Sequence, residues 1–334
     1  MPDYRIIESN PPQHPKVSVL TPVCNVERFL PQCIESLLAQ DLKDIEFIVL
    51  NDGSTDSSLD ILLKYQKQDP RIRVVDKQNS GYGSTMNLGI SLARGTYIGI
   101  VESDDFAEPN MYKKMYAFAR FHRCDLVKCG YFEYSLEEDV PKNPYTEFRM
   151  KKVFDPRKNI WVTCLIPVIW AALYRRQMIV DNGIRFNETP GASFQDTSFV
   201  FQCWASARRA AFLPEPYLHY RIDNSGSSVK SSKKVFAVCD EYKLTEAFLN
   251  KDPERSAAFG KIVHVVKLGT YKWNYGRIDD ASKDAFAVRM SQEYSAAQEA
   301  GQLDKSLFSA PDWAAIEQLI EDPRAFVSEH PESF

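Results

Sequence analysis

The 334-residue chain contains no run approaching the ~20 apolar residues that a membrane-spanning helix needs, so no transmembrane anchor is expected. It opens MPDYRIIESNPPQHPK, with no apolar core, and residues 1–15 read as a polar leader rather than a secretory signal. Its seven cysteines (24, 33, 124, 129, 164, 203 and 239) include no CxxC pair. An odd count without metal-ligand spacing reads as free thiols in a reducing, cytoplasmic setting. The five histidines are scattered without an HExxH pair, which argues against a histidine-built metal site. Neither GxxxxGK[ST] nor GxGxxG occurs, so no phosphate-cradling glycine loop is present and a kinase or NTPase is disfavoured. Lys plus Arg number 41 and Asp plus Glu 45, a net charge of -4 that gives no drive toward nucleic acid.

What is present is an alternation of strand and helix signals. Short apolar runs at Val17–Leu20, Ile45–Leu50, Ile72–Val75, Tyr97–Val101 and Asp125–Tyr134 read as strands. Between them lie helical patterns over 29–38, 59–68, 83–94 and 109–121. This βαβαβαβ order predicts an α/β fold with a mostly parallel, Rossmann-like sheet covered by helices on both faces. Residues 135–159 read as a polar loop, Ile169–Tyr174 and Tyr217–Arg221 as strands, and Phe194–Ala207 as a helix. From Val235 onward the pattern is helical. The expected organisation is a leader over 1–15, a catalytic domain over 16–230 with halves at 16–134 and 135–230, and a helical region over 231–334.

Ligands of such sheets bind beyond the carboxyl ends of the strands. The loops there are Thr21–Glu27, Asn51–Asp56, Asp76–Asn87 and Glu102–Phe106. Asp104 and Asp105 follow a buried strand directly. Two adjacent carboxylates repel and lose hydration, a cost that a hard divalent cation removes; a solvated turn capping the next helix is the plain alternative. Asp52 ends another strand beside Gly53 and offers an acceptor for a base or ribose, while Ser54, Thr55 or Asp56 can cap the following helix.

The order KVSVLTPVCNVERFLPQCIESLLAQ, IEFIVLNDGSTD, NSGYGSTMNLGISLARGTYIGIVESDD, QDTSF and YRIDNSGSS resembles family 2 glycosyltransferases, which have the GT-A fold. The resemblance covers residues 16 to about 133 closely and continues at 195–199 and 220–228. It implies an inverting enzyme that moves a sugar from a nucleotide-diphosphate donor, a UDP-sugar, to a hydroxyl of a glycan or lipid-linked glycan, in cell-envelope polysaccharide assembly. It implies Thr21, Pro22, Asn25 and Glu27 as the first nucleotide loop and Asp52 as the base-recognising acid. Ser54, Gly81 and Asn87 join them from the neighbouring loops. Ser103, Asp104 and Asp105 match the DxD-type motif, with Asp104 and Asp105 holding Mg²⁺ or Mn²⁺. Asp196 matches the catalytic base, and Arg221 with Ser227 and Ser228 a segment over the diphosphate. Three positions depart from the family pattern: Glu102 stands for an Asp, Met86 for an Arg, and Gln195 for a Glu.

Two rivals belong to other classes. A nucleotidyltransferase needs a Gly and a basic residue in the first loop, and Thr21–Glu27 has neither. An inactive sugar-nucleotide-binding scaffold has no need of Asp104, Asp105 and Asp196. Trp170 and Tyr174 are readable as an acceptor platform or as core, and His219 as a metal ligand or a structural histidine. Tyr271, Trp273 and Tyr275, with Lys261, Lys267, Lys272 and Arg277, read as a core-facing stripe, with peripheral contact at the inner face of a membrane as the alternative.

Overall fold

A computed structural model describes residues 3–8, 10–224 and 234–334. Ser227 and Ser228 of the expected diphosphate segment lie outside the described residues. The chain divides into two units, residues 1–158 with 165–225, and residues 159–164 with 226–334.

The first unit runs β1 (Tyr4–Glu8), β2 (Val17–Val23), α1 (Leu30–Leu38), β3 (Ile45–Asp52), α2 (Ser58–Gln66), β4 (Ile72–Lys77), α3 (Tyr82–Leu92) and β5 (Tyr97–Ile100). It continues with β6 (Phe106–Ala107), α4 (Met111–His122), β7 (Leu126–Tyr134), β8 (Asp139–Lys142), β9 (Ala172–Arg175), α5 (Arg176–Asn182), α6 (Gln195–Ser206) and β10 (Ala210–Arg221). The strands form one sheet, ordered β1-β4-β3-β2-β5-β9-β7-β10-β6, with β8 beside β7. Its centre, β4-β3-β2-β5, is parallel, as the strand–helix alternation predicts. β2 and β3 are buried along their whole length, which is why they read as mostly apolar runs, and the two polar residues within those runs, Ser18 and Glu46, bond to each other at 2.5 Å. From β2 the chain steps outward to β3 and β4, then returns to β5 on the other side. That reversal opens a crevice at the carboxyl ends of β2 and β5.

Four features differ from the sequence expectation. β9 lies antiparallel between β5 and β7, so β5 and β7 are not neighbours although they run the same way. β10 begins seven residues before the predicted strand. Pro214 and Pro216 break its pattern, and register shifts around Leu213 and Pro216 accommodate them. Within the expected leader, Tyr4–Glu8 pairs antiparallel with β4. Glu8 accepts from Arg73 Nε at 2.6 Å, and the same buried guanidinium reaches Glu46 at 2.8 Å. A five-residue edge strand tied by ion pairs carries too short a pattern to stand out. β8 likewise falls in the stretch expected to be loop.

The second unit is helical, as expected. It contains a short 3₁₀ turn (Ile160–Cys164), α7 (Ala237–Asn250), α8 (Pro253–Phe259), α9 (Ile262–Tyr275), α10 (Asp280–Glu299), α11 (Ala310–Glu321) and α12 (Pro323–Glu329). Asp252, Asp279, Ser309 and Asp322 cap α8, α10, α11 and α12 through bonds from the first helical N–H groups. Among the described residues no helix is long and apolar enough to cross a membrane.

Candidate active site

The loops after β2 and β3 are latched to each other. Asn25 is held at φ +53°, a conformation that Asn tolerates better than most residues. Its Oδ1 accepts from the Thr55 N–H at 2.7 Å, and its own N–H donates to Ser54 Oγ at 3.1 Å. The Glu27 N–H donates to Asp56 Oδ2 at 3.0 Å, and Glu27 Oε2 accepts from the Ser57 N–H at 2.8 Å, at the start of α2. Asn25, Glu27 and Ser54 therefore lie together, with these polar groups bonded to each other's loops. Thr21 and Pro22 belong to β2 and are buried, and Thr21 Oγ1 has no partner.

Asp52 is 5% exposed. Its carboxylate accepts from the N–H groups of Ser80 at 2.9 Å and Gly81 at 3.1 Å, and from the Lys77 ammonium. Lys77 also donates to Thr85 Oγ1 at 3.2 Å. Asp52 thus fixes the turn that opens α3, its carboxylate already holding three donors.

Next along the rim come Glu102 to Asp105, just beyond β5. Glu102 Oε1 accepts from Tyr82 OH at 2.7 Å. Burial, with help from the Asp104 and Asp196 charges, pushes the Glu102 carboxyl up to about 8 against that bond. Asp105 Oδ1 accepts from the Arg221 N–H at 2.9 Å, while Oδ2 is buried with no partner. Burial and then the neighbouring Asp104 hold its carboxyl well above the usual range. Asp104 Oδ2 accepts from Asn224 at 2.8 Å, and its carbonyl accepts from Arg221 Nε at 2.9 Å. Ser103 is buried between these acids. The Arg221 guanidinium is sandwiched by Phe29 and Tyr134, at 4.7 and 4.8 Å from the ring centroids, and reaches Gln32.

Asp196 stands in the first turn of α6. Its Oδ1 accepts from the Thr197 N–H at 2.9 Å, and burial pushes its carboxyl up to about 6. Burial lifts the Tyr220 phenol to about 12, and the charges of Asp105, Asp104, Asp196 and Glu102 each add to that rise, so all four acids act electrostatically on one ring. Asp52 joins the same rim through Gly81, the neighbour of Tyr82.

The segment 186–193 ties α6 to α3. Asn87 Nδ2 donates to the Phe186 carbonyl at 3.0 Å and to Glu188 Oε1 at 2.9 Å, so its amide pins this segment. Gly81 is at φ +89°, and a Cβ there would lie 2.9 Å from Thr189 O and Gly191 N. At Gly83 a Cβ would fall 1.8 Å from Asn187 O, a backbone atom. Gly83→Ala is therefore expected to unseat the segment, costing about 1–3 kcal/mol or more for an overpacked site. A lowered Tm together with lost turnover in one variant checks this.

His219 lies flat between Phe106 and Phe132, with ring centroids at 4.2 and 4.5 Å. Its Nδ1 meets Asp139 and its Nε2 meets Glu108, each at 3.0 Å. Both nitrogens are taken, so the metal-ligand option for this residue is set aside. Tyr174 is core, donating to the Ile169 carbonyl at 3.1 Å. Trp170 stacks on Tyr220 at 4.9 Å and 9°, which puts an aromatic pair beside the acids.

In the helical unit Tyr271 and Tyr275 are buried, and Lys267 is paired with Glu246 and Glu293 at 3.0 and 2.6 Å. Lys272 is paired with Asp312. Only Trp273 of the aromatic stripe faces outward, 49% exposed, with Arg277 over its ring. A half-open cleft around Lys267, His264 and Glu293 has its inner charges neutralised by these same pairs.

Sequence reasoning did not single out Tyr82, Tyr220, Lys77 or Asn224. Tyr82 sits between two glycines, and that spacing is the one signal that the chain comes close there. The fit for a divalent cation is good in chemistry. Asp105 Oδ2 is an orphaned buried oxygen beside a second carboxylate. Among the described residues no three His, Cys, Asp or Glu side chains are grouped to hold a metal unaided, so a ligand's phosphate oxygens would complete the set.

Residues 18–182 match the family described as Glycosyl transferase family 2. The chain is 39% identical over 228 residues to the glycosyltransferase GlyG of Streptococcus pneumoniae, covering 64% of this chain and 73% of GlyG. It is 36% identical over 217 residues to the uncharacterized glycosyltransferase EpsJ of Bacillus subtilis, spanning 62% of this chain and 61% of EpsJ. Two solved structures share the fold. One is Staphylococcus aureus TarS 1–349 in complex with UDP, with a TM-score of 0.72, 19% identity, and coverage of 93% of this chain and 87% of that one. The other is the mannosyltransferase PcManGT of Pyrobaculum calidifontis in complex with GDP-Man and Mn²⁺, with a TM-score of 0.56, 16% identity, and coverage of 96% and 86%.

Proposed function

Because the chain belongs to glycosyl transferase family 2, we propose that it is an inverting glycosyltransferase that moves a sugar from a UDP-sugar to a hydroxyl of a glycan or lipid-linked glycan. The observation that carries this reading is the hydrogen-bonded chain from the start of α6 to the acids beyond β5, in which Gln195, next to Asp196, and the Tyr82 N–H share the Gly191 carbonyl and Tyr82 OH holds Glu102. UDP, the nucleotide held in the TarS complex, supports the choice of donor.

In this mechanism the donor's nucleoside lies along the Thr21–Glu27 and Asp52–Gly81 loops. Arg221, caged by Phe29 and Tyr134, faces the diphosphate with Asp104. Asp196 accepts the acceptor's hydroxyl proton while that oxygen forms its bond to the anomeric carbon, and the bond from that carbon to the diphosphate oxygen breaks on the opposite side. A carboxyl pushed up to about 6 is ionised at neutral pH yet more basic than an exposed one. Asp104 and Asp105 would hold Mg²⁺ or Mn²⁺, which supplies Lewis-acid relief of the charge on the departing diphosphate. Tyr220, half-buried and backed by the buried Trp170, is the aromatic side chain offered to the acceptor sugar.

The test is a thermal-shift screen of the full chain against UDP-, GDP-, ADP- and CMP-sugars, with and without Mn²⁺. A UDP-sugar at 100 times its Kd is expected to stabilise the fold by about 2.7 kcal/mol, in a Mn²⁺-dependent manner. Stabilisation by GDP-sugars alone would overturn the UDP choice, and by none of them the donor-binding reading.

A further inference from the structure

α6 begins with two adjacent polar residues, and only the second has been given a chemical role above. Gln195 is 2% exposed and uses both ends of its amide. Oε1 accepts from the Ser193 N–H. Nε2 donates to Thr189 Oγ1 at 2.9 Å and to the Gly191 carbonyl at 3.2 Å. These bonds close the 189–193 loop onto the helix start. Phe194, between that loop and the helix, sits at φ +62°, a backbone region that a bulky residue occupies only when both flanks are fixed.

The loop that Gln195 closes also forms the roof over α3. The Gly191 carbonyl that accepts from Gln195 accepts from the Tyr82 N–H as well, at 3.2 Å. Tyr82 in turn holds Glu102. One amide thus links the residue before the proposed base to the acids beyond β5. A glutamate has almost the same shape, but an ionised carboxylate has no hydrogen to donate. It would face the Gly191 carbonyl oxygen with another acceptor.

We propose that Gln195 is a positioning residue for the transfer, its amide fixing the Asp196 carboxylate relative to Glu102–Asp105 by clamping the 189–193 loop to the start of α3. The inference rests on the assignment of Asp196 as base. It also makes the Gln-for-Glu departure at 195 a working part of this chain, so that replacing the amide by a carboxylate is not conservative here.

The experiment compares full-length wild type, Gln195→Met, Gln195→Glu and Asp196→Asn. UDP with Mn²⁺ is the binding probe, and UDP release from the UDP-sugar selected by the screen is the rate. Gln195→Met and Gln195→Glu are expected to bind UDP within about twofold of wild type, keep the donor KM, and lose about tenfold or more in kcat, as a base displaced by a fraction of an ångström does. Gln195→Glu should also move the acid limb of the kcat profile to higher pH, because a second charge beside Asp196 opposes its ionisation. Gln195→Met should leave the limb in place. A purely structural residue would lower Tm without this split between the two variants. If either substitution prevents folding, Thr189→Val removes a single acceptor of the clamp and should lower kcat at unchanged KM. Gln195→Met turning over at wild-type rate while Asp196→Asn is inactive sinks the clamp alone. Asp196→Asn at full rate sinks the base assignment first, and the clamp with it.

Discussion

Asp196→Asn is expected to lose about 10²–10⁴-fold in transfer rate, the range that a positioned general base contributes, while UDP binding stays near wild type. The wild-type rate should rise with pH through about 6, where the Asp196 carboxyl loses its proton. Stability should move the other way. The folded carboxyl binds its proton more tightly than the unfolded one, so ionising it opposes folding. The Asp196 contribution is most favourable below the ordinary carboxyl value and fades as pH rises through about 6. Asp196→Asn should therefore melt at or above the wild-type temperature at pH 7.5 while being almost inactive. A variant that keeps near-normal rates, or whose inactivity tracks a lower Tm, contradicts the role.

Asp105→Ala is the second large effect. Several kcal/mol of Lewis-acid stabilisation correspond to a loss of about a hundredfold or more. Asp105→Asn sharpens the test, because its side-chain oxygen can still accept from the Arg221 N–H while the charge is gone. It should melt no lower than wild type at pH 7.5, since the native carboxylate is buried, raised and repelled by Asp104. Both variants should lose Mn²⁺-dependent UDP binding in calorimetry. Unaltered binding by Asp105→Asn would remove this residue from the proposed metal site.

The parallel centre of the sheet was legible because β2 and β3 are buried on both faces, so that every position of Val17–Leu20 and Ile45–Leu50 except Ser18 and Glu46 is apolar. The acids at the ends of β3 and β5 were visible for the same reason, since a carboxylate straight after such a run has few places to be. What neighbouring backbone does to those side chains was not legible. Asn25, Glu27 and Asn87 look like free ligating groups in a one-dimensional string, yet each meets a loop roughly 30 or 100 positions away. Strand direction was also hidden. β9 is four residues long, and its antiparallel course follows from where the chain re-enters the sheet, which no local propensity encodes. The bend at Leu213–Pro216 hid half of β10 behind prolines that usually mark a strand's end.

The short turn at Ile160–Cys164 belongs with the helical unit although it lies inside the sequence of the other, and its Val162 and Thr163 are buried. The polypeptide thus lends a small piece of itself to a body completed only some seventy positions later. A shortened protein stopped at residue 224 would carry that piece without the unit it belongs to. Cutting the gene where the two halves look separable in sequence is the wrong place to divide this molecule.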